Sequence, residues 1–228
     1  MTRSIGTHGI VALTLALGAA TTSAGCAQDG QPDESQLTAL QTAALEAADD
    51  DTGGDENAGR LLQVHCPHDV PAAVNPPADA TLAAALPARG VQIYTCAAPS
   101  TGGAPAWTLK APHAVLGKNR DVQAIHFAGP SWQANDGSLV TATKVASASA
   151  PDATDIPWLL LQAATHTGAG VFADVTWIQR LDTENGAAPA TGCDDPHVGA
   201  QVLVPYGADY FFYRTASAGE RIRQCVAR

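Results

Sequence analysis

The stretch His126-Phe127-Ala128-Gly129-Pro130-Ser131-Trp132-Gln133-Ala134-Asn135-Asp136-Gly137-Ser138-Leu139-Val140 decides the fold class. Asp136-Gly137 favours the positive φ angles of a two-residue primed turn, whose twist suits two antiparallel strands, and extended sequence flanks it on both sides. Residues 122–134 and 138–147 therefore read as a hairpin. Gly129-Pro130 interrupts its first strand, and because proline donates no ladder hydrogen bond it must sit at an edge or a bulge.

Working outward, the same texture recurs. Gly90-Val91-Gln92-Ile93-Tyr94-Thr95-Cys96 alternates, with Val91, Ile93 and Thr95 on one face and Gln92, Tyr94 and Cys96 on the other. Residues 106–110 follow a Gly-Gly and Pro loop. Trp158-Leu159-Leu160-Leu161 is apolar on successive positions, as expected of a strand buried on both faces. Residues 172–181 and 202–206 are further strands, and Tyr210-Phe211-Phe212-Tyr213 is a last one, entered through a turn at Tyr206-Gly207-Ala208-Asp209. About eight short strands with few short helical turns predict an all-β fold, a single antiparallel β-sandwich or a closed β-barrel. Strand patterning does not separate the two. Before them, residues 60–89 are rich in proline and read as an irregular lead-in, with one helical turn near Leu82 to Leu86.

The chain begins differently. Residues 1–25 have the form of an export signal, with Arg3 supplying charge and residues 10–20 a short apolar run, too short to span a bilayer stably. The signal ends in Ser23-Ala24-Gly25-Cys26, which resembles a bacterial lipobox with Ser23 where Leu is usual; Cys26 is the expected lipidation site. Ala27 after it favours sorting to the outer membrane. Residues 26–59 read as an acidic disordered tether, carrying nine acids and no base. A short amphipathic helix on Leu37, Leu40, Ala44 and Ala47 is compatible with its spacing. The net charge of −10 is thus local, because residues 60–228 hold 11 bases against 13 acids. That near-neutral stretch is sized for one domain. Without clustered Lys and Arg it has no means of neutralising a phosphate backbone, so no nucleic acid partner is expected.

The blocks Gly90 to Cys96, His126 to Trp132 with Asp136-Gly137-Ser138, Ile156-Pro157-Trp158-Leu159-Leu160-Leu161, Ile178-Gln179-Arg180 and Ala188-Pro189 to Cys193 resemble a family of secreted bacterial and fungal proteins known only as a domain of unknown function. The resemblance runs from about Gly90 to Arg214. It implies secretion and a shared fold, and no reaction. Assigning Cys26 to lipid leaves Cys66, Cys96, Cys193 and Cys225, an even set suited to an oxidising compartment. Three pairings are open to four cysteines. We expect Cys96 with Cys193 inside the fold and Cys66 with Cys225 tying its ends, partly because the last two lie outside the resemblance.

Catalytic patterns are weak. Gly168-Ala169-Gly170-Val171-Phe172-Ala173 has dinucleotide-fingerprint spacing, but the strand-like sequence after it denies the phosphates a helix N-terminus, so it reads as a hairpin loop and no cofactor is expected. His65-Cys66-Pro67-His68-Asp69 and Cys193-Asp194-Asp195-Pro196-His197 lack zinc-site spacing, and disulfide cysteines cannot be thiolate ligands, so no metal is expected. Gly129-Pro130-Ser131-Trp132-Gln133 lacks the second glycine of a nucleophile elbow.

What remains is a candidate ligand site of His126, Trp132, Asp136 and Arg180. Ring faces contact sugars or other apolar faces, and a desolvated Arg180 requires a carboxylate, internal or on a ligand. The leading expectation is a lipid-anchored, non-catalytic binding module for a glycan or other envelope component, touching the membrane only through its anchor. The alternatives are a hydrolase or lyase using His126 with a carboxylate, and a tethered protein-interaction domain. An enzyme would place His126 and an Asp or Glu in one cleft. A glycan module would show Trp132 and a second ring on a shallow face. A buried His126 bonded only to backbone would meet neither requirement.

Overall fold

The computed structural model describes Cys66 and residues 69–100, 102–118 and 121–225. The export signal, Cys26, the tether with its short helix, and the first residues of the lead-in, including His65 and His68, lie outside the described residues. A 3-10 turn at Ala72–Val74 precedes eight strands: β1 (Ala80–Ala97), β2 (Ala106–Lys118), β3 (Asp121–Phe127), β4 (Ser131–Ala134), β5 (Leu139–Ala148), β6 (Trp158–Thr167), β7 (Trp177–Asn185) and β8 (Gln201–Thr215). Each pairs antiparallel with the next, and β1 pairs with β8 from Ala80↔Thr215 to Thr95↔Gln201, so the sheet closes into a barrel. Closure removes the edge strands that a sandwich would have to protect.

Several local expectations change. The lead-in ends at Ala80 and not near residue 89, and its helical turn lies at Ala72–Val74 and not near Leu82. Pro87 is tolerated in β1 because it opposes Asp209 of β8, one residue before the β1–β2 ladder starts at Ala88↔Leu116. Gly129-Pro130 is not a bulge. It reverses the chain, setting His126 opposite Trp132 and Phe127 opposite Ser131, so the expected first strand is two.

The Asp136-Gly137 turn is a hairpin, with a three-residue loop in place of the primed pair. Gly137 N–H donates to Ala134 O at 3.0 Å, Ala134 N–H to Ser138 O at 2.9 Å, and Gly137 alone of the pair has positive φ, at 86°. Finally, β8 runs unbroken through Tyr206-Gly207-Ala208-Asp209. Gly207 sits there in ordinary extended backbone, beside the exposed Arg89–Glu184 ion pair.

Strand alternation sorts side chains to the two sides of the wall. Tyr210, Phe212, Ile178 and Leu161 pack inside with Trp132, Leu116 and Val140. Phe211, Tyr213, Leu181, Leu160 and Trp158 point out, where Val70, Val74 and Cys225 cover them. Both faces of Trp158-Leu159-Leu160-Leu161 are thus used. The lead-in and the C-terminal tail form a strap over the outer wall, joined by the Cys66–Cys225 disulfide; a second disulfide joins Cys96 to Cys193.

Beneath the strap, Tyr213 OH donates to Gln179 Oε1 at 2.7 Å, and Gln179 Nε2 donates to Val74 O at 2.8 Å and Cys225 O at 3.2 Å. Cys225 N–H in turn donates to Tyr213 OH at 3.1 Å. Burial of polar groups is tolerable here because each finds a partner.

Gln179→Leu removes the acceptor of the Tyr213 O–H and the donor to the Val74 and Cys225 carbonyls together. We expect it to lower unfolding free energy by about 2–4 kcal/mol in urea titrations. Adding Tyr213→Phe should destabilise by less than the sum of the two single changes.

Candidate functional site

The interior is unevenly filled. At one end Phe172, from the loop between β6 and β7, is fully buried and packs 4.6 Å from Phe212. Asp136 fastens this end: its Oδ1 accepts from Ser138 N–H at 2.9 Å and Ser138 Oγ at 2.6 Å, and its Oδ2 from Val171 N–H at 2.8 Å. The Ser138 hydroxyl, followed by those backbone N–H groups, holds the Asp136 carboxyl below its ordinary pKa. The Gly168 to Ala173 segment is thus a hairpin connection, as its sequence implied, and Phe172 belongs to that loop and not to a strand.

The other end holds a cavity of about 400 Å³, reached between β2, the β3–β4 turn, β5 and Pro157. Three of the four predicted ligand residues, His126, Trp132 and Arg180, line it. Asp136 does not; short β4 separates the β3–β4 turn, which borders the cavity, from Asp136 at the opposite end.

The cavity's shape follows from residue size. Gly90 on β1 faces Ala114 on β2, and Ala114 faces His126 on β3. A Cβ on Gly90 would lie 2.1 Å from His113 O and 2.5 Å from Ala114 Cα, so only glycine allows this approach. These small residues leave width for the rings. His126 and Trp132 stack with centroids 4.4 Å apart, and Tyr210 meets both edge-on at 5.2 and 5.6 Å. Leu159 and Leu161 line the opposing wall, and Gln92, Lys110, Lys144 and Arg180 supply polar groups.

Arg180 sits between Leu159 and Tyr210 in the register. Its Nη2 and Nε donate to Pro157 O at 2.7 and 3.2 Å. Among the described residues it pairs with no carboxylate. The carboxylate partner expected from the sequence is therefore not internal to the described residues.

His126 is 2 % exposed, and its Nδ1 lies 2.9 Å from Ser131 O. Burial pushes its pKa down to about 3, the Ser131 carbonyl opposing and Arg180 and His113 adding to the fall. The imidazole is neutral, with Nδ1–H donated to Ser131 O and Nε2 left as an acceptor. Trp132 is fully buried with one face covered by His126, so the shallow aromatic platform expected of a glycan module is not formed. Among the described residues no Asp or Glu lines the cavity, so these do not form the acid–base pair expected of a hydrolase or lyase. Ser131 Oγ donates to Ala128 O at 2.8 Å, a turn contact and not a nucleophile's arrangement.

Gln92, Lys110 and Lys144 escaped sequence reasoning. For Gln92 a signal existed: the face of β1 bearing Gly90, Gln92 and Tyr94 is its polar one, and it points inward. Of the two ligand-rich clusters, the described one is occupied: Cys193 is in a disulfide and His197 pairs with Asp194.

His126 makes a testable contribution to acid sensitivity. Its folded pKa is depressed, so below the unfolded value of about 6.5 the unfolded chain binds the proton first. We expect this contribution to be intact above pH 6.5 and to fall by about 1.4 kcal/mol per pH unit toward pH 3. Unfolding free energies of wild type and His126→Gln between pH 7 and 4 should differ in slope accordingly.

Residues 117–214 match the model of a family described as "Protein of unknown function (DUF3455)". No curated protein and no solved structure matches the chain. The matched span carries His126, Trp132, Lys144, Arg180 and Tyr210, and leaves Gln92 and Lys110 outside it. From the end of β2 through β8, the chain is similar to a family to which no activity is assigned.

Proposed function

We infer that the protein is an exported, non-catalytic binding protein that holds a small molecule in the open end of its barrel. The observation that carries this is the cavity of about 400 Å³ walled by Trp132, His126, Tyr210, Leu159 and Leu161, a size and lining within the usual range of small-ligand pockets. Eight-stranded barrels have an interior just wide enough to be filled by side chains or to hold one small ligand; here Phe172 fills one end and the cavity lies by the β3–β4 turn.

A deep, largely apolar pocket favours a compact envelope molecule over a long glycan chain. Binding is favoured over catalysis because the one imidazole in the pocket is a poor base at neutral pH and has no carboxylate beside it. Two disulfides suit export to an oxidising compartment. In this reading the lipid on Cys26 anchors the domain and residues 26–59 are its spacer.

A neutral solvatochromic dye such as Nile red should brighten on binding wild-type protein. Leu159→Trp, at the half-buried mouth, should weaken that binding at least tenfold with little change in melting temperature. No binding by wild type, or equal binding by the variant, overturns the pocket as a ligand site. For the anchor, intact-mass measurement of the mature protein should find diacylglyceryl on Cys26 and a gain of two mass units per disulfide on reduction. An unmodified thiol at Cys26 overturns it.

A further inference from the structure

Among the described residues, four buried polar side-chain atoms have no hydrogen-bond partner: Asn75 Oδ1, Trp158 Nε1, Gln92 Nε2 and Trp132 Nε1. Asn75 belongs to the lead-in and Trp158 to the strapped outer wall. The other two belong to residues of the cavity wall, Gln92 being 1 % exposed and Trp132 fully buried. Both orphans are N–H donors. An unpaired buried donor is costly, and an acceptor received by the cavity that these two residues line would relieve it.

The charges point the same way. Among the described residues Lys110, Lys144 and Arg180 line the cavity and no acid does, in a stretch of chain where acids outnumber bases. Arg180 is committed only to the Pro157 carbonyl, and a guanidinium presents five N–H donors in a fork suited to a planar two-oxygen acceptor. Leu159 and Leu161 give the same cavity an apolar side.

We propose that the cavity binds a monocarboxylate with an apolar body, its carboxylate meeting Arg180 and the unpaired donors of Gln92 and Trp132, and its body lying against Leu159 and Leu161. This rests on the reading of the cavity as a ligand site and names the class of ligand. The carboxylate missing from beside Arg180 is then the ligand's own.

Three probes that share one chain test it: octanoate, 1-octanol and octylammonium, titrated into the full chain at pH 7 by calorimetry and followed by the indole N–H signals. Octanoate should bind at least tenfold more tightly than octanol, with octylammonium weakest, and the Trp132 indole signal, assigned with Trp132→Phe, should move downfield with octanoate. Arg180→Gln and Gln92→Leu should each reduce the preference for octanoate over octanol. Equal affinity for octanoate and octanol overturns the carboxylate assignment and leaves the small-ligand reading standing. Binding of none of the three at millimolar concentration overturns both. A preference unchanged in Arg180→Gln overturns the placement of the head group.

Discussion

Closure of the sheet through β1 and β8 is the constraint on which everything else depends. Once eight strands form a ring, the interior has a set width, and each inward position must be filled from that ring or from a loop that folds into it. Here filling is done by contrast. Glycine and alanine on β1 to β3 face the rings of His126, Trp132 and Tyr210, while Phe172 enters from a loop to seal one end. The other end is left open, and there the inward residues turn from aliphatic to donor-rich. The fold thus separates a structural half, fastened by Asp136, from a half with room for a guest.

Much of this architecture is legible in residue order. The turn at Asp136-Gly137, the two-sided burial of Trp158 to Leu161 and the count of about eight strands follow from period-two patterning and turn chemistry. Sandwich and barrel share that patterning, because the difference lies in whether the first and last strands meet. Several of the departures fall at Gly and Pro. Gly207 suggests a turn because glycine permits one, but β8 runs straight through it; Pro87 suggests irregular chain because it breaks most ladders, but it sits where β1 has only one partner. Glycine and proline state what a backbone can do locally, and tertiary neighbours decide which use is made of it.

The site was half legible for a related reason. His126, Trp132 and Arg180 stand out as unusual residues on strands, and their side chains do converge. Asp136 stood out equally, yet its carboxylate is consumed by three nearby donors in fastening a loop. Gln92 was hidden by the habit of assigning the apolar face of a strand to the core. In β1 that rule inverts: Val91 and Ile93 form a small cluster of their own apart from the interior core, while Gln92 lines the cavity. An inverted face marks a place where the interior serves something other than packing.

The strap has a mechanical consequence. Ala80 and Thr215 are the outermost pair of the β1–β8 seam, and the chain beyond each of them is joined by the Cys66–Cys225 bond. Any pull arriving along the chain ahead of Cys66 is shared at once with the tail behind β8, so the force cannot peel β1 from β8 one rung at a time. The bond works as a zipper stop. From the Ala80–Thr215 end, the seam that makes the barrel a ring cannot unzip while that bond holds.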